Sequence, residues 1–465
     1  MVSIFLTAVT LMAQTSAKQP VAAAGTDPKF AKLVEAFLDE SLTLSPSAAS
    51  QAGYHKHVDK KTGKTIELDA LLDDVGPAAI KEQHQFYTRS RERFRTQTPL
   101  GSLGPQDAAD WQLIDDQIGL NLLELDQIQS YRHNATNYVE LLGGALFQPF
   151  TDEYAPKDVR LGHILSRISQ IPRFLEQAKQ QLIDSDPIFV KVALEENEGN
   201  IGLIQETIAP AIPAGSALKA EYDKVAPAAI EALKNFSLWL QNDLAKRPNP
   251  RSWRLGKEYY PEKFRLVMET PVTPSQVLAD AERELKSVRG EMLEIALPLH
   301  KQMYPDHGDH SDLSGNEREN KVISEVLRKI SDDRPQRDQL IETIKADLVS
   351  IRQFIIDHKI VSLQARDNLK VIPTPPFLRG IYSVAGFHSA PPLDPTAEAQ
   401  YWVTPIDPKM PDDKAESKLR EYNNWVLQWL TIHEALPGHY VQAEHANDVT
   451  PVTRRLTRGL FSNGA

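Results

Sequence analysis

His433-Glu434-Ala435-Leu436-Pro437-Gly438-His439 is the stretch of this 465-residue chain best equipped to do chemistry. Two imidazoles close together can hold a divalent metal, and a carboxylate beside the first can take a proton from a water at that metal. The spacing needs explanation. At about 100° per residue, a step of four returns to one face of a helix, whereas a step of six lands roughly 240° away. His433 and His439 can therefore share a metal only if the turn between them is not regular α. Pro437 removes a backbone donor and disfavours αR at Leu436, and Gly438 tolerates backbone angles that other residues avoid. Together they predict a local loop-out within the helix that brings His439 round to face His433; the alternative is a helix that stops at Pro437 with both histidines merely near its end.

Read with its surroundings, the stretch resembles the signature of the bacterial domain of unknown function 885 family. The resemblance extends to Leu44-Ser45-Pro46-Ser47-Ala48-Ala49 with Gly53, to Leu255-Gly256-Lys257-Glu258-Tyr259-Tyr260, and to Tyr401-Trp402-Val403-Thr404-Pro405. It implies a mainly α, multi-helix, zincin-like body with a small extended region just before the metal-binding helix. It also implies a zinc-dependent peptidase that hydrolyses peptide or peptide-like amide bonds through a water activated at the metal. His433 and His439 would be the Zn²⁺ ligands and Glu434 the catalytic base. A downstream carboxylate is the expected third protein ligand, in a Glu-Gly-Trp segment that similar proteins carry beyond the point corresponding to residue 465. On that expectation the chain is incomplete and its activity impaired, unless Glu421, Glu444 or another carboxylate completes the site. The rival from a different class is a helical periplasmic binding or scaffold protein with a vestigial motif.

The elements that must position these groups lie just upstream. Leu419, Tyr422, Val426 and Trp429 recur at helical spacing and lead into Ile432 and His433, which predicts one apolar stripe anchoring the metal helix. Val371 to Pro408 is rich in Pro, aromatic and β-branched residues and reads as extended chain with short strands. In zincins an edge strand before the metal helix pairs with substrate backbone. By that analogy Tyr401, Trp402 and Thr404 are expected to bind substrate from such a strand, with Tyr382 as a wall or polarising phenol.

The rest of the chain reads as helices. Phe30, Leu33, Val34, Phe37 and Leu38 form one amphipathic pattern, Leu68 to Arg95 a second, and Trp111, Ile114, Ile118, Leu122 and Leu125 a third. Tyr138 to Phe150 contains Gly143-Gly144 and reads as a broken helix or a cleft wall. Further helices are expected over 159–183, kinked at Pro172, and over 190–208, 216–244, 273–299, 317–329 and 335–357. Residues 245–252 are the best candidate boundary, separating an N-terminal helical region (28–250) from a C-terminal zincin-like region (251–465), although both could be one continuous domain. His55 and His57 read as a solvated loop, and so does Pro305-Asp306-His307-Gly308-Asp309-His310, although its two His and two Asp make it the second most ligand-like cluster, with weak adventitious metal binding as the alternative.

Composition sets outer limits. A net charge of −11 argues against nucleic acid or an anionic membrane as the main partner. The absence of cysteine leaves any zinc site to His and carboxylate. An apolar run at residues 4–13 followed by Thr15-Ser16-Ala17 predicts a signal peptide over 1–17 and a linker over 18–27, hence a periplasmic or secreted protein with no stable membrane insertion after cleavage.

Overall fold

The computed structural model describes residues 27–457 except 61, 380 and 381. The expected signal peptide and most of the linker lie outside the described residues. So do residues 458–465. The first helix, Pro28–Thr43, shows how the sequence sets local structure. Asp27 caps it by accepting from the backbone N–H groups of Lys29 and Phe30, and Pro28 opens its first turn. Phe30, Leu33, Val34 and Phe37 fall on one face and are buried. They pack on Phe86 and Phe94 of the Pro77–Gln97 helix and on Trp111, Ile114 and Ile118 of the Pro105–Leu123 helix. The helix expected from Leu68 starts at Pro77, later than periodicity predicts, because residues 68–70 form a separate 3₁₀ turn.

The main core is built from helices Thr136–Thr151, Lys157–Gln181, Pro187–Gly202 and Ala217–Asn242. The second of these runs through Pro172 and the first through Gly143-Gly144, so neither residue pair nor proline ends a helix. Arg167 is fully buried within this core. Its guanidinium donates to the carbonyls of Leu71 (3.0 Å), Ala145 (2.6 Å) and Leu68 (3.3 Å) and to Ser50 Oγ (2.6 Å), which fastens the 3₁₀ turn to the helices. A buried cation is tolerable because acceptors replace the water it has lost.

The two largest cores fall on either side of the boundary expected near residue 250, with one residue crossing it. The turn Pro376–Leu378 pushes Phe377 into the N-terminal helices, where it is buried with the main core. A Cβ at Gly143 would lie 2.4 Å from the Phe377 ring, and one at Gly199 would lie 2.6 Å from Phe377 Cα. Both glycines thus give up side chains to seat Phe377, Gly143 against its ring and Gly199 against its backbone.

Strands are few. β1 (Lys56–Val58) and β2 (Thr65–Glu67) form an antiparallel hairpin. β3 (Leu369–Pro373), β4 (Ala385–His388) and β5 (Ala399–Val403) form one sheet in the order β3-β5-β4. β5 runs parallel to β3 and antiparallel to β4, with Ile372 and Gly386 both opposite Trp402. A second core gathers Leu340, Ile344, Ile351 and Ile355 of the Leu340–His358 helix against Tyr401, Val403, Leu427, Leu436 and Tyr440. The chain is therefore mainly α, as its periodicity predicts. Among the described residues no helix is long and apolar enough to cross a membrane.

One buried carboxyl makes stability depend on pH. Glu196 is 1% exposed, and neither of its oxygens has a hydrogen-bond partner. Burial, and then the nearby Glu140 and Glu195 charges, push its pKa up to about 8. The folded state therefore holds the proton more tightly than the unfolded chain does. The stability from this group is fully present below the ordinary glutamate range and is lost as pH rises through about 8. Glu196→Gln is expected to match the parent in thermal melts at pH 5. At pH 9 it should exceed the parent by about 1–3 kcal/mol, since no charge then has to be buried. Parallel pH profiles for the two proteins would contradict this.

Candidate metal centre

His433 and Glu434 occupy the last turn of the helix Asn424–Glu434. Asn423 caps that helix through the N–H groups of Trp425 (3.1 Å) and Val426 (3.2 Å). This cap restarts the helical phase after the preceding helix, Asp412–Glu421, so the single apolar stripe expected from Leu419 to Trp429 does not form. Leu419 and Tyr422 are buried, whereas Val426 and Trp429 are 38% and 63% exposed. Leu427 and Thr431 anchor the metal helix instead. Thr431 Oγ1 donates to the Leu427 carbonyl (2.8 Å) and lies 3.4 Å from Tyr401 Oη, which joins the helix to β5.

The helix stops at Glu434, and a new helix, His439–Asn447, begins at the second histidine. The expected loop-out within one helix is thus a break between two. Ala435 and Leu436 turn into the C-terminal core, and the Leu436–Pro437 peptide is cis. Gly438 has φ −74°, so it is not required for a left-handed backbone. It is required for space: an added Cβ would meet His433 O at 1.8 Å and Ile432 O at 2.4 Å. The backbone doubles back against the metal helix at that point and delivers His439 to His433. The two rings sit 4.6 Å apart at 80°.

One ligand atom each from His433, Glu434 and His439 lie within 4.8 Å of one another. Trp429 stacks beside His433 (5.7 Å) and Phe387 beside His439 (6.4 Å). Burial holds His439 below the ordinary imidazole range, assisted by the His433 charge, which favours the neutral ligand form. Burial also raises the Glu434 carboxyl, and His433 opposes this. Two imidazoles and a carboxylate suit zinc, and no oxygen cage for a hard cation is present at these residues.

The other carboxylates considered from sequence are engaged elsewhere or distant. Glu444 is 1% exposed and accepts from Arg366 Nε at 2.6 Å. His445 places Nε2 2.9 Å from Ser362 O and Nδ1 3.1 Å from Gln364 Nε2. Glu421 is exposed at the end of its own helix. Tyr440 Oη, 2.8 Å from Asn368 Oδ1, holds the second helix against the sheet.

The four substrate residues expected from the sequence divide. Tyr401 to Thr404 cannot add a substrate strand, because β5 is the central strand and every one of its residues is buried. Tyr401 is in the core, and Thr404 Oγ1 lies 2.7 Å from Thr374 Oγ1 and 2.5 Å from Tyr382 O. The strand of this sheet that borders His439 is β4, through Phe387. Tyr382 and Trp402 do line a cleft, of about 450 Å³, with Glu140, Phe147, Phe387 and His388 among the other walls. Tyr382 lies flat over Gly386, where a Cβ would come within 2.6 Å of its ring, and meets Trp402 edge-on at 5.6 Å. Burial, then the Glu434 and Glu140 charges, raise the Tyr382 phenol and keep it protonated. Sequence reasoning missed His388, which stacks on Trp402 at 5.4 Å, and Glu140; nothing local distinguishes either.

The histidine loops also differ from expectation. His55 pairs with Asp69 (3.0 Å) and stacks on Tyr154 (4.2 Å). His307 and His310 are drawn onto His300 and Glu325.

Residues 46–464 match the model of a family of bacterial proteins of unknown function, DUF885. The chain belongs to that family. Among solved structures, this DUF885 protein is similar to one from Shewanella oneidensis described as a putative lipoprotein of unknown function. The two share 26% identity over 94% of this chain and 75% of that one, with a TM-score of 0.68. No curated protein matches the DUF885 chain.

Proposed function

We propose that this protein is a periplasmic or secreted zinc-dependent peptidase. The observation that carries the reading is the convergence of two imidazoles and a half-buried carboxylate beside a cleft with aromatic walls. His433 and His439 would hold the metal. When bound, zinc lowers the pKa of a coordinated water to about 7 and polarises a carbonyl. Glu434, fixed next to His433 by the covalent chain, takes a proton from the attacking water and returns it to the departing amine. Its environment suits that cycle, because partial burial raises a carboxylate's affinity for the proton it must carry. Tyr382, kept protonated, is a donor available to an oxygen that gains charge. Trp402 and Phe387 offer apolar surface to a peptide side chain, and β4, at the edge of its sheet, offers backbone groups to its main chain.

The test is a peptide library incubated with zinc-loaded protein and read by mass spectrometry. A parallel sample carries His433→Ala and His439→Ala. Cleavage by the parent alone, abolished by chelator and restored by zinc, is the expected result. Zinc bound at the motif with no cleavage of any peptide would favour the binding or scaffold role instead.

A further inference from the structure

We propose that His300, His307, His310 and Glu325 form a second metal site, structural in role, that takes Zn²⁺ and clips a helical hairpin shut. It is independent of the peptidase reading. His300 lies in the last turn of the helix Pro274–Met303, His307 and His310 in the loop that follows, and Glu325 in the returning helix Gly315–Ile330. One ligand atom from each of the four lies within 4.8 Å of the others.

The arrangement is difficult to explain as hydrogen bonding alone. Glu325 Oε2 lies 2.8 Å from His300 Nε2, 2.8 Å from His310 Nε2 and 3.5 Å from His307 Nε2. A carboxylate accepts, so the His300 and His310 nitrogens at 2.8 Å would both have to carry protons. Yet His307 Nε2 is also 3.1 Å from His310 Nε2, and only one nitrogen of that pair can be the donor. Three ring nitrogens facing one carboxylate oxygen are the geometry in which lone pairs share a cation.

The site is also held in place. His300 is fully buried. Tyr304 Oη donates to the Glu325 carbonyl at 3.0 Å, and Lys321 Nζ sits 3.1 Å from Glu325 Oε1, leaving Oε2 to the histidines. Arg318 grips the loop through Asp309, with Nη2 2.8 Å from Oδ2. His310 itself adopts φ +55°, an unfavourable backbone for a residue with a side chain, and so turns its ring inward.

The surrounding fold supplies a reason for a clip. Of the long helix only Ala296 and His300 are buried, and the hairpin's own core is Ala296, Val322 and Val326 with a few half-buried neighbours. So small a core stabilises a helix pair weakly, and a structural zinc adds folding free energy where apolar burial is short. Three imidazoles and one carboxylate fill four positions, the closed set of a structural zinc, whereas the motif site offers two imidazoles and leaves room for substrate.

The test removes the motif site first. The full chain carrying His433→Ala and His439→Ala is stripped with chelator and titrated with Zn²⁺, and with Co²⁺ as a spectroscopic probe. We expect one equivalent to bind, a Co²⁺ spectrum of tetrahedral intensity, and zinc-dependent protection from trypsin between Lys301 and Arg318. Adding His307→Ala and His310→Ala, both in the loop and outside either core, should weaken binding about 100-fold or more and abolish the protection. No bound equivalent in the motif-less chain, or binding and protection unchanged by the loop substitutions, would overturn the proposal.

Discussion

Replacing Glu434 with Gln is expected to cut peptide turnover about 10²–10⁴-fold while leaving the zinc content of the motif site unchanged. The amide preserves the shape of the carboxyl group but cannot accept a proton. Burial already holds the Glu434 carboxyl above the usual range, and a neutral amide fits that environment at least as well. The measurement is turnover beside metal analysis of the same preparation. If zinc leaves together with activity, Glu434 is a ligand and the proton-transfer role assigned to it is wrong.

The second large effect comes from a residue that touches no metal. Gly438→Ala removes no donor and no acceptor, yet it should weaken zinc binding at the motif about 100-fold and reduce turnover to background. A Cβ there collides with the carbonyl oxygens of His433 and Ile432, both backbone of the metal helix, so no rotamer change relieves the contact. The two helices would have to separate, and with them the two imidazoles. The four-helix core around Leu142, Ile164 and Phe236 does not depend on this crossing and should keep its helical signal. Gly162→Ala is the matched control, because nothing lies within 4 Å of its added methyl and it does not line the cleft. Unaltered zinc affinity in the Gly438 variant would show that the crossing is looser than the structure has it.

Much of this was legible in the residues, and the misses have physical causes. Periodicity gave the helices, because burial of one face is written every 3.6 residues. The Pro437-Gly438 pair marked a departure from regular helix, but not its kind. A bulge and a break both use those residues, and only the packing of Ala435 and Leu436 into the core distinguishes them. The stripe from Leu419 to Trp429 looked continuous because a single cap, Asn423, can shift helical phase without disturbing hydrophobic content. β5 carried its own warning: Ala399 to Val403 does not alternate, and a run without alternation belongs to a strand covered on both sides. Of the His300 cluster only the loop pair stood out in one dimension, because its four ligands come from three successive elements and His300 and Glu325 are distant in sequence.

The ring of Phe377 bears on how any guest enters the cleft. It is the pin that joins the C-terminal sheet to the helix Thr136–Thr151, and these are the opposing jaws of the cleft. Prising them apart would draw that ring out of its glycine seat, at a cost of about 1.5–3 kcal/mol for the one side chain. The gap therefore widens only against that cost. Guests would be sorted by girth at the threshold, before any chemistry inside could discriminate among them.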